Sequence, residues 1–294
     1  MEETRARLEP KAPFDFAQSL AFLRRFEADG VAKTVGERTL ELPLALGGRA
    51  VLARLESVGT PERPALEVRL VSAQALSSPE RAAILDDLRF FLSLGEDLEP
   101  FYALARRDDA FWPLAAKLYG YHPVKFPSLF ACACWALVTQ RTPNGFAYRS
   151  MRAISDLLGP RLEVGGTRLP AFPAPAAFLA PDAPAKLLAA TNNTRKVARL
   201  VPIARAFLDA DEPFLQSAPY DEAYRWLLGL PGLGPWSAEY VMLRGLGRYE
   251  RSPWTDTWLL GGVSQVYAGG LTLSRGDARA LAEGYGWHQG LWVH

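Results

Sequence analysis

The sequence predicts a small α+β domain, residues 1–98, followed by a larger all-helical domain, residues 99–294. Three observations carry this. Alternating apolar segments flank a Gly-Gly pair within the first hundred residues, the signature of a β-hairpin. An acidic, turn-rich joint, GEDLEP at 95–100, then breaks the pattern. Beyond it strand signals almost vanish and apolar residues recur at helical spacing.

Phe16, Leu20, Leu23 and Phe26 lie near helical spacing and predict a helix over 14–26. TLELPLAL (39–46) and AVLARLESV (50–58) surround Gly47-Gly48, and ALEVRLVSA (65–73) alternates strictly as a third strand. Ser78 is expected to cap a helix that has Pro79 at its first position and runs to about Leu92. After the joint, helices are expected at 100–107, 110–119, 129–139, 148–158, 174–180, 184–190, 196–208, 220–228, 237–246, 255–267 and 275–285. Pro- and Gly-rich loops separate them, notably LEVGGTRLPAFPAP at 162–175.

With 49% hydrophobic and 22% charged residues the chain is neither disordered nor fibrous. Its longest apolar run, LFACACWALV at 129–138, is half the ~20 residues that a bilayer span needs. No export signal is read at the start, so a cytoplasmic, reduced protein with no membrane association is expected. Two cysteines exclude a disulfide framework and a four-thiolate zinc or iron–sulfur site. Cys132 and Cys134 read as buried packing, and His122, His288 and His294 have no ligand spacing, so no metal site is expected. The net charge of +1 divides unevenly: residues 1–110 carry 15 basic against 19 acidic side chains, and 111–294 carry 18 against 13. A mildly basic second part suits a polyanion without demanding one.

Chemistry concentrates in residues 220–260. Two helices are joined by LPGLGPW, 230–236, where Gly232 and Gly234 are both expected to leave the helical region. Glycines bare the amide N–H groups, and the second helix starts there with unsatisfied donors, an arrangement suited to a phosphate. Leu230 and Leu233 would anchor the turn; an ordinary αα-hairpin is the alternative. Asp256 follows 22 residues after Gly234, in the first turn of a helix starting at Pro253 or Thr255. The helix dipole favours its ionised form there, and a capping role is the plain alternative. Flanked by Trp254 and Trp258, it is expected in an apolar wall, where a carboxylate without a task is costly.

The hairpin Leu230-Pro231-Gly232-Leu233-Gly234 followed by Asp256 resembles the helix-hairpin-helix DNA glycosylases. The continuation Gly234-Pro235-Trp236-Ser237-Ala238-Glu239-Tyr240 is most similar to the 3-methyladenine DNA glycosylase II branch, which excises alkylated bases. The resemblance implies that the first domain is half of a TATA-binding-type saddle, opened by Phe14-Asp15-Phe16, and that the second is the glycosylase domain. It implies a DNA wedge at Gln140 and Arg141, after CWALVT, and extends over 172–200. Arg195, Lys196 and Arg199 would face DNA, or equally form a solvated helix start.

Bifunctional members carry a lysine where Trp236 stands, and no lysine follows Lys196. The resemblance therefore implies a monofunctional enzyme: the base is flipped out, water attacks C1′, and the strand stays uncut. Asp256 would stabilise the oxocarbenium ion and orient the water. Trp236 and Tyr240 would stack on the cationic base, worth ~0.5–2 kcal/mol by cation–π attraction, although core packing is an even alternative for Tyr240. The family's additional pocket tryptophan comes from a later portion of the final helix than this sequence holds, so that part of the pocket is expected to be absent, truncated, or supplied by Phe22, Trp287 or Trp292. The implied partner is double-stranded DNA containing alkylated bases, bound by a monomer without an obligatory protein partner or cofactor. A monovalent cation on the hairpin carbonyls is left open. A non-catalytic protein that recognises bent or damaged DNA is the main alternative, and oxidised-guanine excision a weaker one.

Overall fold

The computed structural model describes residues 1–254 and 257–294. Near the N-terminus β1 (Glu2–Leu8), β2 (Thr34–Val35), β3 (Thr39–Leu46), β4 (Arg49–Ser57) and β5 (Leu66–Ser72) form an antiparallel sheet in the order β1-β5-β4-β3-β2. Leu46 pairs with Arg49 across Gly47 and Gly48, whose φ values of +52° and +78° give the tight turn that matches strand twist. Leu40, Leu42 and Leu44, with Leu66, Val68 and Leu70, face α1 (Phe16–Leu23) and α2 (Ser78–Phe91) in the main core. Asp15 caps α1 by accepting from Ala17 N–H. The cap of α2 is Ser77, one residue before the expected Ser78, because Ser77 and Glu80 bond reciprocally in a capping box.

Strand β1 was not expected from its sequence. It is polar on both sides except near Leu8, and is held by its ladder with β5, from Glu2↔Ser72 to Leu8↔Leu66. A backbone-held edge strand leaves little periodicity to read.

The rest of the chain is mostly helical: α3 (Glu99–Ala105), α4 (Trp112–Lys117), α5 (Leu129–Val138), α6 (Asn144–Leu158), α7 (Ala183–Thr191), α8 (Thr194–Leu208), α9 (Glu212–Ser217), α10 (Tyr220–Leu228), α11 (Pro235–Tyr240), α12 (Thr257–Ala268), α13 (Arg275–Glu283) and α14 (Gln289–Val293). The stretch read as a loop at 162–175 contains β6 (Arg161–Val164) and β7 (Thr167–Pro170), a hairpin around Gly165-Gly166. Leu162 within it and Ala171 just after it pack on Ala50, Leu52 and Val71, on the outer face of the sheet. Strand β4 is thus covered on both faces.

Every residue of α5 is buried, as its unbroken apolar sequence requires. The main core runs from the sheet through α5 to α8, α10 and α11. A second cluster joins Leu98, α3 and α4 to Val263, Ala278, Ala282, Tyr285 and Trp292. Asp108 fastens that cluster, accepting from Tyr267 and Tyr285 hydroxyls at 2.5 and 2.9 Å, while Trp292 Nε1 donates to Tyr267 at 2.9 Å. Between α1 and the sheet, Lys33 donates to both oxygens of Asp29 at 2.8 Å, a pair almost wholly buried. Among the described residues no helix is long and apolar enough to cross a membrane, and no group of three or more His, Cys, Asp or Glu side chains could hold a metal. Cys132 and Cys134 are free and buried, and burial pushes both thiols up.

Candidate active site

The connection between α10 and α11 is anchored as expected: Leu230 and Leu233 are buried in the main core, and Leu233 N–H donates to Leu230 carbonyl at 3.1 Å. Gly232 has φ +85°, and a Cβ there would lie 2.5 Å from Arg199 Cδ and 3.2 Å from Leu137 Cδ1. Only glycine satisfies both the backbone and the close approach. Gly234 also leaves the helical region, but its φ of −95° and ψ of −175° are extended backbone open to any residue, and a Cβ would meet nothing within 4 Å, so glycine is not required there. Arg199, on α8, lays its stem against Gly232, which sets an exposed guanidinium beside the hairpin.

The turn after α5 carries the two expected wedge residues. Gln140 Nε2 donates to Gly232 carbonyl at 2.8 Å and to Ser237 Oγ at 3.0 Å, so its side chain is spent on the hairpin. Arg141 is exposed, with φ +49°. Lys196 does not face outward with Arg195: it is buried, and its ammonium donates to Val138 carbonyl and Thr142 Oγ1. Of the hairpin carbonyls, Leu230 accepts from Leu233 N–H and Gly232 from Gln140 Nε2.

A cleft of about 490 Å3 opens between the α11 side and the second cluster. Trp236 and Tyr240 line it, four apart on one helical face, with rings stacked at 5.3 Å and 25°. Burial pushes the Tyr240 hydroxyl up and keeps it protonated. Helix α11 runs into a wide π-type turn, Val241–Gly245, closed by Leu246 N–H on Val241 carbonyl at 2.9 Å. Such turns are frequent at functional sites, and this one carries Arg244 into the cleft wall.

Arg244 Nη1 lies 2.8 Å from His294 Nε2, and the guanidinium packs on the rings of Phe22 and Phe26 at 4.9 and 5.2 Å. Burial, and then the Arg244 charge, hold the His294 imidazole well below its usual range, so it is neutral and accepts from Arg244. Arg244 Nε and Nη2 are buried without a hydrogen-bond partner among the described residues. The sequence reading missed Arg244, although 236, 240 and 244 form one stripe at four-residue spacing. Tyr121 and His294, which also line the cleft, come from distant segments and left no such signal.

Phe22 sits one layer behind the cleft, stacked on Phe26 at 5.0 Å, and is not a lining residue. Trp292 lines the cleft, whereas Trp287 is exposed elsewhere. Of the two flanking tryptophans, Trp254 packs on the second cluster, and Trp258 lies at the cleft with 88% of its surface exposed. Asp256 lies outside the described residues. Among the described residues that line the cleft, none has a carboxylate or lysine side chain, and Arg244 carries the charged side chain.

No protein-family model matches the chain. It is 24% identical over 249 residues to a DNA-3-methyladenine glycosylase of Bacillus subtilis, covering 84% of this chain and 81% of that protein. The structure is similar to a 3-methyladenine DNA-glycosylase from Archaeoglobus fulgidus, with TM-score 0.79 and 23% identity over 98% of this chain and 96% of that one. It is also similar to the apo form of a Clostridium acetobutylicum 8-oxoguanine glycosylase/lyase, with TM-score 0.70 and 15% identity over 99% and 95% of the two chains.

Proposed function

We propose, from a chain that carries the fold of the helix-hairpin-helix DNA glycosylase superfamily, that this protein excises alkylated bases of the 3-methyladenine and 7-methylguanine type from double-stranded DNA, as a monofunctional glycosylase. The observation that carries the reading is the stacked Trp236–Tyr240 pair, which presents aromatic faces to a cleft of base-accommodating size next to a glycine hairpin. The Bacillus and Archaeoglobus relatives, named for 3-methyladenine, support the alkylated substrate over the oxidised one.

A base reaches such a cleft only when extruded from the duplex, which costs a few kcal/mol and least for a damaged base. The hairpin at 230–234, with Arg199 beside it, is suited to grip a phosphate, and Arg141 is the residue free to fill the vacated stack. An alkylated purine is cationic in the substrate and neutral once it leaves, while the positive charge passes to the sugar. Arg244 at the base end favours that displacement, because it repels the cationic ring and not the departing neutral one. Asp256, assigned from its place after the hairpin, receives the charge as a carboxylate beside the oxocarbenium ion and orients the attacking water. Trp236 at the usual lysine position, and a cleft without lysine among the described residues, support hydrolysis without a Schiff base.

The test is release of 3-methyladenine and 7-methylguanine from methylated duplex, with strand breaks appearing only after heating in alkali. Asp256→Asn is expected to abolish release while duplex binding persists. Borohydride is expected to trap no covalent complex. Binding without release by the wild-type protein would favour a damage-recognition role instead.

A further inference from the structure

We propose that Lys196 and Gln140 are positioning residues that fasten the turn bearing Arg141 to the glycine hairpin, so that the group entering the duplex and the group holding its backbone move as one body. The proposal rests on the reading of this protein as one that unstacks a duplex.

The bonds form a closed path. Lys196, from α8, donates to Val138 carbonyl at the end of α5 and to Thr142 Oγ1 beyond the turn. Thr142 Oγ1 donates in turn to Gln140 carbonyl at 3.0 Å. The Gln140 side chain then crosses to Gly232 carbonyl at 2.8 Å and to Ser237 Oγ at 3.0 Å, and Ser237 Oγ returns to Ala136 carbonyl of α5 at 3.3 Å. Arg141 lies inside this path with φ +49°, the left-handed region that an L-residue adopts only when its surroundings over-determine it. Both neighbours of Arg141 are therefore tied down while its own side chain is exposed.

Lys196 is an expensive way to obtain this rigidity. Its ammonium is buried, its partners are two neutral oxygens, and no carboxylate pairs with it among the described residues. An apolar side chain filling the same space would serve stability as well or better. An ammonium does what an apolar group cannot: it joins the end of α5 to the far side of the turn.

The experiment uses the full chain and a duplex with 2-aminopurine beside a tetrahydrofuran abasic analogue, whose emission rises on unstacking. Affinity for the same duplex is read separately by anisotropy. The wild-type protein is expected to raise the emission. Lys196→Met and Gln140→Ala are expected to lose most of that rise while their affinity stays with the wild type, and Lys196→Arg, which keeps a donor, to recover part of it. Gln140 is less buried, so its variant decides the matter should Lys196→Met not fold. No rise with the wild-type protein, full rise in the variants, or parallel loss of affinity and emission would each overturn the proposal. Excision from methylated DNA is scored apart, so failure of the proposed activity is distinguishable from failure of this device.

Discussion

Two glycines separated by one leucine look equivalent in the sequence, yet the backbone asks different things of them. At position 232 the φ of +85° and the Arg199 stem act together, so Gly232→Ala is expected to cost about 1–3 kcal/mol. Gly234→Ala, in extended backbone with open space around it, is expected to leave the melting temperature unchanged. Thermal melts of the two variants check the contrast. Duplex affinity measured against salt is expected to fall at every sequence for Gly232→Ala. Leu230, Leu233, Trp236 and Tyr240 could be read in advance, because each follows from a motif or a helical face. Gln140 and Lys196 could be named but their bonds could not be read: their partners lie 92 and 58 positions away, and no local pattern encodes such a bond.

Elements were readable where they bury a periodic face and unreadable where the backbone alone holds them. Strands β3, β4 and β5 were readable because one side of each meets the main core. Strand β1 and the hairpin β6–β7 are fixed by ladders and by covering the outer face of the sheet, and their sequences are polar or rich in turn residues. Helix starts are set by a few polar atoms, and the cap of α2 moved by one residue because two adjacent serines compete and only Ser77 can pair with Glu80. Ser77→Ala is therefore expected to destabilise the protein by about 1 kcal/mol, and Ser78→Ala by much less, in denaturant titrations. The buried pair of Asp29 and Lys33 lies in the segment before β2. Lys33→Met is expected to cost about 3–5 kcal/mol, since it strands a desolvated carboxylate.

On the scale of the whole molecule, the cleft exists because two cores meet along α11 and α14 without merging. The sequence announced the helices but not that the segment at 99–117 would turn from the sheet to join the last fifty residues. Arg244 and His294 sit at this meeting place, packed against the α1 aromatics. Below about pH 6.5 an unfolded chain protonates the imidazole, whereas the folded one keeps it neutral. The unfolded state then binds more protons, so stability falls as pH drops, by at most about 1.4 kcal/mol per unit from this group. His294→Phe is expected to flatten that acid limb, leaving the contributions of His122 and His288, which burial also lowers. Melting temperatures measured from pH 7.5 to 5 check this.

The wide turn at Val241–Gly245 amounts to one residue more than a regular helix would need. Removing Met242 would let the segment close with ordinary pitch and leave what precedes and follows the turn in register. The side chains of the turn itself would shift, Arg244 among them. A chain shortened by that single link is thus expected to keep its fold and displace that one guanidinium from the cleft wall.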